Sequence, residues 1–193
     1  MSQPSKDLKT IARTVGDVFG GDWRVHDYSD DSGKTHIDLL SSADRPQKGI
    51  SSYASLGVSE HPIYKGGRIV RGVRVELVGA CASGFPKFAN VVATAAFDII
   101  KGKRFVAPGV IFPGAIAEYR RRSPMEHVMF VPPFLWPDLA TLKLPKKTVT
   151  WLMLVPISEA EMKYAIDCGP AKLEKVFGEK HIDIYDIDRP SVV

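Results

Sequence analysis

Residues 149–169 read VTWLMLVPISEAEMKYAIDCG, and the division of this stretch decides the architecture. VTWLMLV (149–155) carries no charge. Its length suits a strand covered on both faces in the middle of a sheet. Pro156 is expected to end it. Ser158-Glu159-Ala160-Glu161 then has the spacing of a capping box. In that arrangement the Ser158 hydroxyl accepts from the amide of Glu161, and the Glu161 carboxylate accepts from the amide of Ser158. Glu159 falls in the first turn, where negative charge suits the helix dipole, and four residues before Lys163, the favourable order for an exposed pair. The two glutamates project to different sides of a helix. They cannot converge on one substrate as a general acid–base pair must. They are therefore read as groups that start a helix. This helix is expected to bury Met162, Ala165 and Ile166 and to close at Gly169. Pro170, well tolerated in a first turn, opens a second helix with Leu173, Val176 and Phe177 on its apolar face.

Upstream, Phe85, Phe88, Ala89, Val92, Ala95, Ala96 and Ile99 follow helical spacing and predict a helix over 85–101. Ser83 is its candidate cap and Gly102 its end. Residues 5–19 carry a second stripe at Leu8, Ile11, Ala12, Val15, Val18 and Phe19, with Ser5 as cap and Gly20-Gly21 as stop. WRVHDY (23–28) and KTHIDLL (34–40) predict a hairpin around SDDSG. The register that gathers Trp23, Val25, Ile37 and Leu39 on one face places Arg24 opposite Asp38 and His26 opposite His36. SSYASLGVS (51–59) and VRVELVGA (73–80) predict two further strands. In the second, Val73, Val75 and Leu77 form one apolar face, alternating with Arg74, Glu76 and Val78. KGGR (65–68) is a turn that lacks the spacing of a phosphate-binding loop. Pro108, Pro113, Pro124, Pro132, Pro133, Pro137 and Pro145 exclude long helices between 105 and 148. There EHVMFVPP (126–133) predicts one strand, and the rest is expected to be loops, where functional segments tend to lie.

The chain has 193 residues, a length of one domain on the scale of about 100–200 residues, so a single domain over 1–193 is expected. Hydrophobic residues make up 45% and charged residues 25%, ordinary for a soluble globular protein. No apolar run reaches the ~18 residues of a membrane span, and MSQPSKDLKT has no apolar core of a secretory signal. The two cysteines, Cys81 and Cys168, form neither a disulfide framework nor a Cys-x-x-Cys motif. A cytoplasmic location with reduced thiols follows as the expectation. The net charge of +4 is mild. The basic residues are scattered apart from KGKR (101–104) and YRRR (119–122), unlike the basic stripe of a nucleic-acid binder.

No group nominates catalysis. A Gly-x-Ser-x-Gly elbow is absent. Cys81, in GACASG, reads as a small buried residue at a strand end. Cys168 falls in the last turn of a helix, where the dipole disfavours a thiolate. The His26/His36 pair has no cysteine nearby, and its one carboxylate neighbour, Asp38, has Arg24 as partner, so it reads as a solvated sheet face and not a metal site. His61, His127 and His181 are isolated in sequence. No catalytic, cofactor-binding or metal-ligating residue is assigned. A hydrolase or transferase with a site assembled in space, and a basic nucleic-acid-binding module, stay open as alternatives at this point.

In this order the pieces resemble the Suppressor of fused (SUFU-like) domain family. The resemblance is carried by YASLGVS (53–59), RVELVG (74–79), the helix at 85–101, APG (107–109), VTWLMLVPISEAEMKYAIDCGPAKLEKVF (149–177) and DIDRPSV (186–192). It covers residues 50–193, while the residues before 50 match only in general pattern. The strand-proline-capped-helix segment and the Asp-x-x-Arg-x-Ser element are its most specific parts. The resemblance implies an α/β (α+β) fold, a mixed β-sheet flanked by helices in a single SUFU-like domain, with no catalytic residues and no cofactor. Animal members bind a transcription-factor peptide as an added strand between two domains and hold that factor in the cytoplasm. This chain has length for the first domain only. Bacterial relatives are often single domains, and many are thought to be immunity proteins that neutralise a polymorphic toxin. Such inhibitors are often acidic because many toxins are basic nucleases; this chain is basic, which points to another toxin class or another role. The resulting expectation is a non-catalytic domain that binds a protein partner, such as a toxin, in an immunity or sequestering role. Tyr119, Arg120, Arg121 and Arg122 are the candidate contacts, because tyrosine and arginine are enriched at binding hot spots and three adjacent arginines cannot all be buried. Ser158, Glu161 and Arg189 are expected to be structural. An arginine fork holds a carboxylate through two parallel hydrogen bonds, and Glu76 and Asp186 are the candidate partners of Arg189.

Overall fold

The uncharged run lies inside an 11-residue strand, Thr148–Ser158, in a computed structural model that describes residues 4–193. In chain order the elements are α1 (Lys6–Phe19), β1 (Arg24–Ser29), β2 (His36–Ala43), β3 (Ile50–Leu56), a 3-10 turn (Val58–Glu60), β4 (Ile63–Lys65), β5 (Arg68–Val70) and β6 (Val73–Ala82). They continue with α2 (Phe88–Ile100), β7 (Ile111–Phe112), β8 (Met125–Val131), β9 (Leu142–Lys143), β10 (Thr148–Ser158), α3 (Glu159–Cys168) and α4 (Pro170–Lys180). One sheet runs β1-β2-β3-β6-β10-β8-β7, with β9 beside the start of β10. Among the described residues only β6 and β10 pair in parallel; every other neighbouring pair is antiparallel. β4 and β5 form a separate hairpin. The fold is thus a mixed sheet with helices on both faces.

Alternation along β10 divides the core. Leu152 and Leu154 point to the side of α2, while Val149, Trp151, Met153, Val155 and Ile157 point to the side of α1, α3 and α4. Both faces of the strand are buried, as its composition requires. α2 is covered nearly all round and buries Phe88, Val91, Val92, Ala95, Ala96 and Ile99. α1 keeps the expected stripe, with Ile11, Val15 and Phe19 inside and the Ser5 hydroxyl accepting from the Leu8 amide. The proline-rich section does more than pass over the body. Trp136 and Leu139 enter the second core layer, where Trp136 meets Phe19 with ring centroids 4.6 Å apart. The Trp151 indole donates to the carbonyl of Ala140 at 3.1 Å.

Several expectations need correction. The β1–β2 register moves by three residues, so that Arg24 faces Ser41, His26 faces Leu39 and Asp27 faces Asp38. The cause is the loop between the strands. The Asp30 carboxylate accepts from the amides of Lys34 and Thr35 and from the Ser32 hydroxyl, which holds residues 34 and 35 out of the strand. Trp23 leaves the sheet and lies on α1, where a Cβ on Gly16 would come within 2.6 Å of its indole nitrogen. β6 is buried on both faces from Val75 to Cys81, because it is a central strand, so its polar Glu76 is fully buried. α2 starts at Phe88, and the Ser83 hydroxyl meets that of Ser51 instead of capping the helix. Pro156 does not end β10. The ladder to β6 stops at Leu154, so the missing amide lies beyond that pairing. Ile166 is 69% exposed, since the inward line of α3 is taken by Glu161 and Ala165.

Gly79 in β6 lets the fully buried Phe88 ring approach the strand closely, and a Cβ there would sit 2.8 Å from Phe88 Cε1. Gly79→Ala should therefore destabilise the protein by about 1–3 kcal/mol, the usual cost of overpacking. Urea titration checks this, and Phe88→Leu in the same chain should recover part of the loss.

Candidate functional site

The capping box is complete: the Ser158 hydroxyl accepts from the Glu161 amide at 3.1 Å, and Glu161 accepts from the Ser158 amide at 3.0 Å. The Glu161 carboxylate does a second job. Arg189 donates to it through two parallel bonds of 2.6 and 2.8 Å, and the amide of Val192 adds a third donor at 3.2 Å. The same guanidinium donates to the carbonyls of Pro156 and Pro190 and lies 5.4 Å from the centroid of Phe177. Ser158 and Ser191 are also hydrogen-bonded to each other. Glu161 is 0% and Arg189 5% exposed. This corrects the expected partners of Arg189. Glu76 instead accepts from the Ser55 hydroxyl and from the amides of Gly57, Val58 and Ser59. Burial pushes its pKa up against those donors. Asp186 turns to the amide of Asp188.

Glu159 points away from Glu161, toward Lys163 at 3.1 Å and the buried His127 at 2.9 Å. Lys163 and then His127 hold its carboxyl below the usual glutamate range. The His127 Nδ1 accepts from the amide of Gly114 at 2.8 Å, so its Nε2 carries the hydrogen and donates to Glu159. A histidine–carboxylate pair of this kind orients a base in hydrolases. Here both ring nitrogens are occupied, one by the main chain, and no lone pair is left to take a proton from a nucleophile. Its isolated place in β8 concealed this pair, because its partners lie across the fold.

The four residues of YRRR do not form one patch. Tyr119 is half-buried with its hydroxyl bonded to Thr94, Arg120 pairs with Asp188 beside the Phe85 ring, and Arg121 and Arg122 are exposed. Tyr119 borders a polar cleft of about 340 Å³ that follows α2 toward Lys101. At its other wall the nearly buried Asp30 is paired with Lys101 at 2.5 Å. Lys101 and the loop donors hold the Asp30 carboxyl well below the usual range. The cleft mixes Asp30, Asp31, Asp98 and Glu118 with Lys101, Lys103 and Arg104, so its charges largely compensate one another.

Cys81 is fully buried and its thiol is pushed up to about 12 by that burial, which removes it as a nucleophile at neutral pH; Cys168 is exposed. Among the described residues no group of three or more histidine, cysteine, aspartate or glutamate side chains is placed to hold a metal ion, and no helix is long and apolar enough to cross a membrane. His26 and His36 do not face each other, and His36 is bonded to Ser29 and the Gly33 carbonyl.

The model of the family described as Suppressor of fused protein (SUFU) matches residues 33–190. A Bacillus subtilis (strain 168) protein named immunity protein YqcF is 47% identical over 193 residues, covering 98% of each chain. The solved structure of a putative SUFU homologue from Neisseria gonorrhoeae FA 1090 has a TM-score of 0.63 at 17% identity, over 89% of this chain and 88% of its own. A chain of the Sufu-Fu complex has a TM-score of 0.66 at 14% identity, over 96% and 91%. Drosophila Suppressor of Fused has a TM-score of 0.55 at 14% identity, and this chain matches only 42% of its length. At such identities the structural likeness concerns the fold alone.

Two outcomes follow from this geometry. Arg189→Met strands a buried carboxylate and should cost ~3–5 kcal/mol. Adding Glu161→Gln, which keeps a capping side chain, should return part of that loss; urea melts of the single and double variants measure it. For Asp30 the folded pKa is lowered. Its contribution to stability is therefore present above the ordinary aspartate value of roughly 3.9 and fades as pH falls below it. The stability gap between wild type and Asp30→Asn should accordingly narrow on acidification, as read from urea midpoints over an acid pH series.

Proposed function

The chain belongs to the Suppressor of fused (SUFU) family, and from that premise we propose that it works stoichiometrically in the cytoplasm as an immunity protein, binding and neutralising a toxic protein partner. The observation that carries this reading is the 47% identity, over 98% of both chains, with the Bacillus protein named immunity protein YqcF. Identity spread along the full length favours a shared mode of action more than a shared scaffold does. The chemistry of the interior supports binding in place of turnover. His127 has no free lone pair, the Cys81 thiol is buried, and Glu159 and Glu161 serve separate structural partners. The partner-contact role expected of YRRR narrows to Arg121 and Arg122, since Tyr119 and Arg120 are already engaged within the chain.

The test is co-production with a product of a neighbouring gene that halts growth when made alone. The wild-type chain should restore growth and co-elute with the toxin as a defined complex. Arg121→Ser/Arg122→Ser should bind more weakly and with a flatter salt dependence, because exposed charges are screened over about 8 Å at physiological ionic strength. Unrescued growth together with separate elution of the wild-type chain sinks the immunity reading. Equal affinity of the double variant at low and high salt removes only the two arginines from it.

A further inference from the structure

The β4–β5 hairpin has no part in the contacts described so far, and it lies beside the KGKR segment after α2, whose Lys101 is taken by Asp30. We propose that together they dock an acidic segment of the partner, one that carries a single large apolar side chain flanked by carboxylates. This rests on the protein-binding reading and gives the partner its chemistry.

Among the described residues the hairpin pairs with no other strand, and an isolated pair of strands is marginal in water. It is held down by Ile63, 4% exposed within the α2 core, and by Lys65, whose ammonium lies 5.0 Å from the Phe105 ring centroid. Its tip is Gly66-Gly67, both with positive φ and with open space around them. Register places Arg68 opposite Lys65, and Ile69 beside it is 52% exposed. The tip and KGKR are neighbours, since a Cβ on Gly102 would come within 3.2 Å of the Tyr64 ring.

Lys65, Arg68, Lys103 and Arg104 thus gather at one end of α2. The carboxylate paired with any of them, among the described residues, is Asp98, which Lys103 meets at 3.7 Å and Arg104 at 3.0 Å. The Lys103 side chain remains 61% and that of Arg104 45% exposed. Lys103 and Arg104 also border the mixed-sign cleft along α2, whereas Lys65 and Arg68 do not line that cleft and supply the added positive charge of this surface. Beside it opens a crevice of about 250 Å³ lined by Ile99, Phe105, Val110, Ile111, Phe112 and Phe130. Arg104 stands at its wall, 4.3 Å from the Phe112 ring centroid. An apolar socket with Arg104 at its wall and Lys65 over its Phe105 ring has the parts of a binding hot spot, where an anchor enters and the flanking charge selects the partner by sign. Nucleic acid fits less well. Single strands need open aromatic faces on which bases stack, and the Phe105 ring is covered by Lys65.

The probe is the blocked peptide Glu-Asp-Phe-Asp-Glu, titrated into the full chain and followed through backbone amide resonances. Saturable shifts should centre on residues 65–68 and 99–112, and should fade when serine replaces the phenylalanine or when salt is raised. Lys65→Ser/Arg68→Ser/Lys103→Ser, all surface changes, should weaken binding about tenfold or more, the loss expected of a hot spot. Ala95→Leu, which fills the crevice from α2, should do the same. Absence of saturable shifts, or affinity unchanged in the surface triple variant, overturns the proposal. So does tighter binding of an oligo-dT strand through the same residues. Growth protection is scored in parallel. A triple variant that still protects and still binds the toxin removes this surface while the immunity reading stands. Failure of every form to protect overturns the immunity reading, and the peptide titration still decides the surface.

Discussion

The Glu161 carboxylate is the group on which the rest of this structure leans. It closes the first turn of α3 through the Ser158 amide, receives the Arg189 fork and takes the Val192 amide. A carboxylate alone in this interior would be strongly unfavourable. It is tolerable because donors from three residues, Ser158, Arg189 and Val192, engage its oxygens. Arg189 in turn reaches the carbonyl of Pro156, so the end of β10, the start of α3 and residues 189–192 are bound as one unit. Buried ion pairs of this kind add little net stability compared with apolar packing, but breaking one is costly. Any arrangement that parts Arg189 from Glu161 therefore bears that cost.

What could be read from the sequence was what depends on neighbours in the chain. The uncharged run of β10, the Ser158–Glu161 box, and the α1 stripe with its Ser5 cap each span a few residues, and local rules suffice for them. The misreadings all involve distant partners. The hairpin register could not be found from its own apolar pattern, because Asp30 is bound to Lys101 and the loop follows that carboxylate. Glu76 looked like an outward-facing residue in an alternating strand. Its strand has neighbours on both sides and layers on both faces, so the carboxylate turns to the amides of the 57–59 turn. Ile166 was expected inside, but the inward slot of that helix belongs to a charged residue one turn from Ala165. His127 gave no signal at all, since the amide of Gly114 and the carboxylate of Glu159 meet it only in three dimensions.

The candidate contact residues show the same division. Composition singled out YRRR and KGKR as basic runs. It could not tell that Tyr119 turns toward Thr94, that Asp188 occupies Arg120, or that a two-stranded hairpin from before β6 stands beside KGKR. Surface function depends on which charges are left over after folding, and that difference is a property of the assembled chain.

The parallel seam between β6 and β10 divides the sheet into two parts with different histories. β1, β2, β3 and β6 come from residues 24–82, and β7, β8, β9 and β10 from residues 111–158, each set joined by antiparallel pairs between segments close in the chain. The seam pairs Thr148 with Val73 and Leu154 with Gly79. Closing so long a loop has an entropic cost that must be met before the new contacts compensate it. Each half-sheet is built from pairings short in sequence, while both core layers draw residues from the two halves and so depend on the seam that joins them. Of the pairings between neighbouring strands of this sheet, the seam joins the residues farthest apart in the chain and so carries the largest closure cost.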